Sequence, residues 1–152
     1  MSICGLPTAY VGITYEGTAL SKVKQNSIKG KIDNAPRKGS LVIQGTAAPI
    51  VNHLMQKRKV RGIDFIELTT NAFAEHVLPM AEVILLYNVG VEVSTNYSIS
   101  SQIFNKVRKY YAGKSVLLII ETDLGKTDLL HKYDFRVTNF LRVPIKEEEV
   151  WV

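Results

Sequence analysis

Cysteine is almost absent from this chain: Cys4 stands alone, so no internal disulfide can staple the fold, and such usage suits a reducing compartment. Long apolar runs are missing as well. None approaches the ~20 residues needed to cross a bilayer, and Met1-Ser2-Ile3-Cys4 has no basic stretch followed by an apolar core, so neither a membrane span nor a signal peptide is expected. A soluble, cytoplasmic protein is the expectation. Metal-ligand spacing is lacking too: His53, His76 and His131 fall on separate predicted elements without Cys or His partners, and no metal site is expected. No segment is low in complexity and no internal repeat occurs, which excludes a solenoid.

What is present suffices for one core. With 152 residues, 46% of them hydrophobic, one domain is expected: an arm and basic segment over 1–39, an α/β core over 40–143 and an acidic tail over 144–152. The formal charge is +5 and unevenly placed. Lys22, Lys24, Lys29, Lys31, Arg37 and Lys38 crowd the first part, Lys57, Arg58, Lys59 and Arg61 follow, and Glu147-Glu148-Glu149 comes late. This excess suits contact with nucleic acid or with an acidic protein partner, although many proteins with neither carry it.

Along the chain, Gly5 to Gly17 holds too many Gly and Pro for a helix and reads as an extended arm packed on the outside of the core through Leu6, Tyr10, Ile13 and Tyr15. Thr18 to Lys31 reads as a polar helix with Leu20, Val23 and Ile28 on one side. Ser40 to Gln44 is a buried strand. Gly45-Thr46-Ala47-Ala48 then turns into a helix with Pro49 at its first position, where the missing N–H costs nothing. Gly62 closes the next connection, Ile63 to Leu68 forms a second strand, and Thr69 or Thr70 caps a short helix carrying Phe73, His76, Val77 and Leu78 that Pro79 ends. Val83 to Asn88, nearly all branched or aromatic, reads as a strand buried on both faces. Tyr97 or Ser98 opens the most regular helix, with Ile99, Ile103, Phe104, Val107, Tyr110 and Tyr111 at spacings of three and four and Gly113 as its stop. Val116 to Ile120 is the next buried strand, Leu124 to Lys132 a short helix, and Arg136 to Val143 a strand at or near a sheet edge. Alternation of strand and helix predicts an α/β fold: an open, mainly parallel five-stranded sheet with helices on both faces, in three layers.

A phosphate-binding loop needs glycines so that backbone N–H groups can wrap the phosphates, a Lys for their charge, and a Ser or Thr for Mg²⁺. Gly45-Thr46-Ala47-Ala48-Pro49 lies in the right place, between strand and helix, but offers no Lys and puts a Pro where a hydroxyl is wanted. A strand of the Val83–Asn88 kind ends, in nucleotide hydrolases, in carboxylates that hold Mg²⁺. Tyr87 and Asn88 stand there instead.

The Gly5-Leu6-Pro7-Thr8-Ala9-Tyr10 arm, the Gly45-Thr46 turn, the strand and turn from Val83 to Glu92, the helix ending Lys109-Tyr110-Tyr111-Ala112-Gly113-Lys114 and the strand ending Glu121-Thr122-Asp123-Leu124 together resemble the core of bacterial replicative-helicase loaders of the DnaC/DnaI type. Those are AAA+ ATPases with a P-loop NTPase fold, and the resemblance spans roughly Gly5 to Val143. It implies a list of losses. The phosphate-loop Lys position falls on or near Ala48, its neighbouring hydroxyl on Pro49, and the metal carboxylates on Tyr87 and Asn88; only the sensor position, about Thr122 or Asp123, stays polar. The chain also ends where the helical lid of such proteins would begin. A pseudo-ATPase with no nucleotide cofactor is expected, since loss of the Lys cripples ATP binding and loss of the metal ligands abolishes hydrolysis.

Three readings follow. The first is a non-catalytic replication accessory or regulator, of a kind a phage or mobile element carries, whose partner is a replicative helicase, a helicase loader or another copy of itself. The second is a single-stranded-DNA-binding module using Lys29, Lys31, Arg37 and Lys38, then Lys57, Arg58, Lys59 and Arg61, then Lys106, Arg108, Lys109 and Lys114, with Tyr110 and Tyr111 either stacking on bases or packed in the core. The third is an enzyme of unrelated mechanism with its site at the strand ends near Gly45, Thr69, Asn88 and Thr122.

Overall fold

The computed structural model of the protein describes residues 5–6, 10, 20–70, 78–92 and 97–144. The apolar run at its centre does what its composition dictates. Val83, Ile84, Leu85 and Leu86 are all 0% exposed, because each side of this strand meets a layer of helices. In chain order the elements are α1 (Lys22–Asp33), β1 (Gly39–Gly45), α2 (Ala48–Leu54), β2 (Val60–Asp64), α3 (Phe65–Thr70), β3 (Val83–Val89), α4 (Tyr97–Tyr111), β4 (Leu117–Thr122), α5 (Lys126–Tyr133) and β5 (Phe140–Val143). The strands lie in the order β2-β3-β4-β1-β5, and every pairing is parallel. Parallel neighbours need crossovers, and these supply the helices of both layers.

Side-chain alternation sorts the core into two halves. On one face Ile43, Leu85 and Ile119 meet Ile28 and Ile32 of α1 and Ile50, Val51 and Leu54 of α2. On the other, Val42, Ile84, Leu86 and Ile120 meet Phe65, Phe104, Val107, Leu129 and Tyr133 from α3, α4 and α5. Phe104 stacks on Tyr133 with ring centres 4.5 Å apart, and Phe65 meets each of them edge-on at 6.0 Å. Each such side chain, fully buried, contributes about 1.5–3 kcal/mol.

Several expectations need correction. The predicted strand from Ile63 to Leu68 stops at Asp64, whose Oδ1 accepts the Ile66 N–H at 2.9 Å and so starts α3 instead. Gly62 sits within β2, because a Cβ there would lie 2.6 Å from the Gly5 carbonyl oxygen of the arm. Val23 is 80% exposed; five residues along a helix is not one face, and Gln25, Ile28 and Ile32 are the buried set of α1. Ile99 is exposed and Ser100 takes its place against the core. Leu6 and Tyr10 of the arm are buried core members rather than outer anchors. Ile13, Tyr15, Phe73, His76 and Val77 lie outside the described residues.

Candidate functional site

The turn after β1 is held by its neighbours. Gly45 has φ +114°, and a Cβ on it would stand 1.9 Å from the Val143 carbonyl oxygen. The Thr46 N–H donates to that oxygen at 3.1 Å, which ties the turn to β5. Thr46 Oγ1 accepts the Ala48 N–H at 3.2 Å, and α2 starts there with Pro49 in its first turn and no side-chain cap. The next donor decides the chemistry: the Ala47 N–H donates to Glu121 Oε2 at 2.7 Å. The Tyr10 hydroxyl donates to the same oxygen. A carboxylate from the end of β4 therefore takes the backbone donor of a turn whose geometry would otherwise present it to a phosphate.

The arm closes over this contact. Asn52 of α2 donates to the Tyr10 carbonyl at 2.6 Å, and the Tyr87 hydroxyl donates to the Gly5 carbonyl at 2.9 Å. Burial drives the Tyr10 phenol far above its ordinary range, reinforced by the Glu121 charge. Tyr87 is pushed up to about 12, again first by burial and then by Asp64, Glu67 and Glu121. Burial also raises the Glu121 carboxyl, against the pull of the Tyr10 and Ala47 donors, and Asp123 adds to the rise.

The strand end that would hold Mg²⁺ is differently employed. Pairing of β3 with β4 slips between Leu86 and Val89. Asn88, at φ +62°, turns its amide to Asp64 Oδ1 at 3.0 Å, and Tyr87 faces the arm. Neither supplies a carboxylate, so these residues do not fit a resident Mg²⁺. Thr122, at the end of β4, is buried and donates to the Val89 carbonyl at 2.8 Å while accepting the Leu124 N–H at 3.0 Å. The hollow that Gly45, Asn88, Glu121, Thr122 and Asp123 help to line holds about 60 Å³. Small-molecule sites run to about 300–1,000 Å³. Among the described residues no group of three His, Cys, Asp or Glu side chains could hold a metal ion.

The basic residues are not gathered into one surface. Lys29 and Lys31 sit on α1 and Lys106 and Lys109 on α4, which pack on opposite faces of the sheet. Arg37, Lys38, Lys59 and Arg61 are exposed, and Lys57 lies 3.9 Å from Asp33. Arg58 donates to the Ala35 and Pro36 carbonyls at 2.9 and 3.4 Å, locking the loop after α1 to the end of α2. The Arg108 guanidinium lies 4.3 Å from the Phe135 ring centre and donates to Asn105 Oδ1 at 2.5 Å; burial lowers its pKa. Lys114 lies 4.1 Å over the Tyr110 ring and donates to the Tyr110 carbonyl. Tyr111 is 3% exposed, with its hydroxyl on the Pro79 carbonyl at 2.5 Å, so it is core. Arg58, Arg108 and Lys114 thus make internal contacts, and of the two alternatives for Tyr111 the packed one is found.

Glu121 and Tyr10 were not singled out by sequence reasoning as site residues. The available signal was the lone carboxylate that ends the apolar run Val116–Ile120. A more deeply buried acid, Glu92, accepts the Tyr133 hydroxyl and the Gly90 N–H, the latter at 3.2 Å, with Lys132 at 3.7 Å, and fastens the end of β3 to α5.

No protein-family model matches the chain, and no curated protein matches it. Solved structures do. A candidate primosome component from Streptococcus pyogenes serotype M3 superposes with a TM-score of 0.54 at 12% identity, over 93% of this chain and 92% of that one. DnaI superposes at 0.61 with 12% identity, over 94% and 93%. A DNA replication initiation factor gives 0.54 at 11% identity over 88% of this chain, which spans 50% of that longer protein. At such identities the likeness is one of fold: the five-stranded parallel α/β fold of DnaI-type replication proteins.

Proposed function

We propose that this protein is a non-catalytic replication accessory: a DnaI-like core whose nucleotide site is closed by its own carboxylate and which acts through protein contacts. The observation that carries the reading is Glu121 Oε2 accepting both the Ala47 N–H and the Tyr10 hydroxyl. A carboxyl oxygen already occupies the donor that a phosphate would need, no Lys stands in the turn, and Tyr87 and Asn88 stand where metal carboxylates would be expected. A helicase, a helicase loader or a second copy of the chain is the natural partner class for a fold retained without its chemistry. The fold shared with a primosome component and with DnaI supports the same direction.

The test is co-elution of the purified protein with a replicative helicase hexamer, and separately with a helicase loader, with and without ATP. The reading expects a complex with one of them whose yield ignores ATP. A complex that forms only with ATP bound to this chain, or turnover of ATP above that of a Glu121→Ala, Tyr10→Phe control, would sink it. The DNA-binding alternative has lost Arg58, Arg108 and Lys114 to internal contacts.

A further inference from the structure

Two adjoining hollows run along the flank of the protein that carries β5, and a third continues from them past the start of β1 to the end of α4. One of about 530 Å³ lies between α1 and β5, with Lys24, Lys31 and Arg142 on its walls beside Ile28 and Pro144. A second, about 500 Å³, shares Lys31 with the first and follows β5 past Asn139 and Leu141. The third, about 560 Å³, shares Pro36 and Ser40 with the second and adds Lys38. No Asp or Glu lines any of them among the described residues. The trough also borders a sheet edge, since β5 pairs only with β1 among the described residues. An edge of this kind leaves backbone N–H and C=O groups open to another strand.

We infer that this trough docks an acidic, partly apolar segment of a protein partner, extended beside the edge of β5 that no described strand pairs with. The choice of occupant follows from the lining. Cations without a facing carboxylate attract acidic side chains, and Leu41, Leu141 and Ile28 offer alternate apolar purchase. Nucleic acid is disfavoured because single strands bind by base stacking, and the trough offers no free ring: Tyr111 is 3% exposed, and Phe140 is half-buried with Lys126 Nζ 5.3 Å from its centre. A second copy would bring the same Lys- and Arg-lined wall to the contact, and the described lining of the trough holds no Asp or Glu to pair with it. The inference deepens the reading of a protein-contact accessory by naming its interface.

The test is fluorescence anisotropy of a labelled peptide alternating Glu and Leu, run beside labelled oligothymidylate of equal length. Saturable peptide binding that weakens with salt is expected, reduced about tenfold or more by Lys31→Glu with Arg142→Glu and unchanged by the off-trough pair Arg61→Glu with Lys109→Glu. Thermal melting confirms that each variant folds, and Lys24→Glu, on the exposed side of α1, carries the test if the double variant does not. Absence of peptide binding overturns the inference, as does equal weakening by both pairs. So does oligothymidylate binding that the trough pair alone abolishes, which would make the trough a nucleic-acid groove. None of these results touches the nucleotide site, so failure here leaves the non-catalytic reading to its own test.

Discussion

Replacing Glu121 separates the carboxylate's charge from its role as an acceptor. The group is half-buried at the end of β4, and desolvation pushes its carboxyl above the ordinary value of 4.5. Below that value folded and unfolded chains both hold the proton. As pH rises past it the unfolded chain releases the proton first while the folded chain retains it, so this group's contribution to stability falls with rising pH until the folded carboxyl ionises as well. Glu121→Gln keeps an oxygen for the Ala47 N–H and the Tyr10 hydroxyl but cannot ionise. Its stability relative to the native protein should therefore rise as pH climbs above the ordinary carboxyl value of 4.5, until the folded carboxyl has ionised as well. Glu121→Ala removes the acceptor altogether and leaves two donors stranded, which costs about 1–3 kcal/mol relative to the Gln variant at every pH, because neither variant ionises. Urea unfolding reads both: with a slope of about 2 kcal/mol per molar, 1 kcal/mol moves the midpoint by about half a molar. A Gln variant as unstable as the Ala variant at about pH 8 would refute the reasoning, because the negative charge itself would then be stabilising.

Other substitutions probe the surrounding geometry. Gly45→Ala places a Cβ 1.9 Å from the Val143 carbonyl oxygen in a left-handed turn, and should lower stability by about 2 kcal/mol or more in the same urea assay. Gly62→Ala should push the arm off β2, since its Cβ would lie 2.6 Å from the Gly5 oxygen; faster chymotryptic cleavage at Tyr10 is the readout. Arg108→Gln removes a cation from the faces of Phe135 and Phe104, so a loss of about 1 kcal/mol in stability is expected with no change in affinity for single-stranded DNA.

The fold was legible wherever one residue pattern had one physical solution. Val83 to Leu86 and Leu117 to Ile120 are apolar on both sides, and only a strand covered on both faces accommodates them. The edge position of β5 followed from alternation ended by a proline. Boundaries were harder. Asp64 ends β2 through its own side chain, a local contest between turn and ladder that periodicity does not register. That Gly45 to Pro49 holds no Lys and that Tyr87 and Asn88 are not carboxylates is plain in the sequence, but the contacts these residues make are not. Tyr10 and Glu121 lie 111 positions apart, and their meeting at Ala47 depends on the pairing of β1 with β4. The surroundings of the basic residues were hidden for a related reason: Phe135, 27 positions from Arg108 in the chain, is brought under its guanidinium only by the fold.

The central claim is that the turn from Gly45 to Pro49 no longer receives a nucleotide. Calorimetric titration of the full chain with ATP and with ADP, each with Mg²⁺, tests it most directly. The account predicts no heat of binding for either nucleotide at any concentration that would saturate an ordinary phosphate loop. Tight, stoichiometric binding of ATP or ADP would contradict it, because Glu121 would then have to yield its place at the Ala47 N–H to a phosphate.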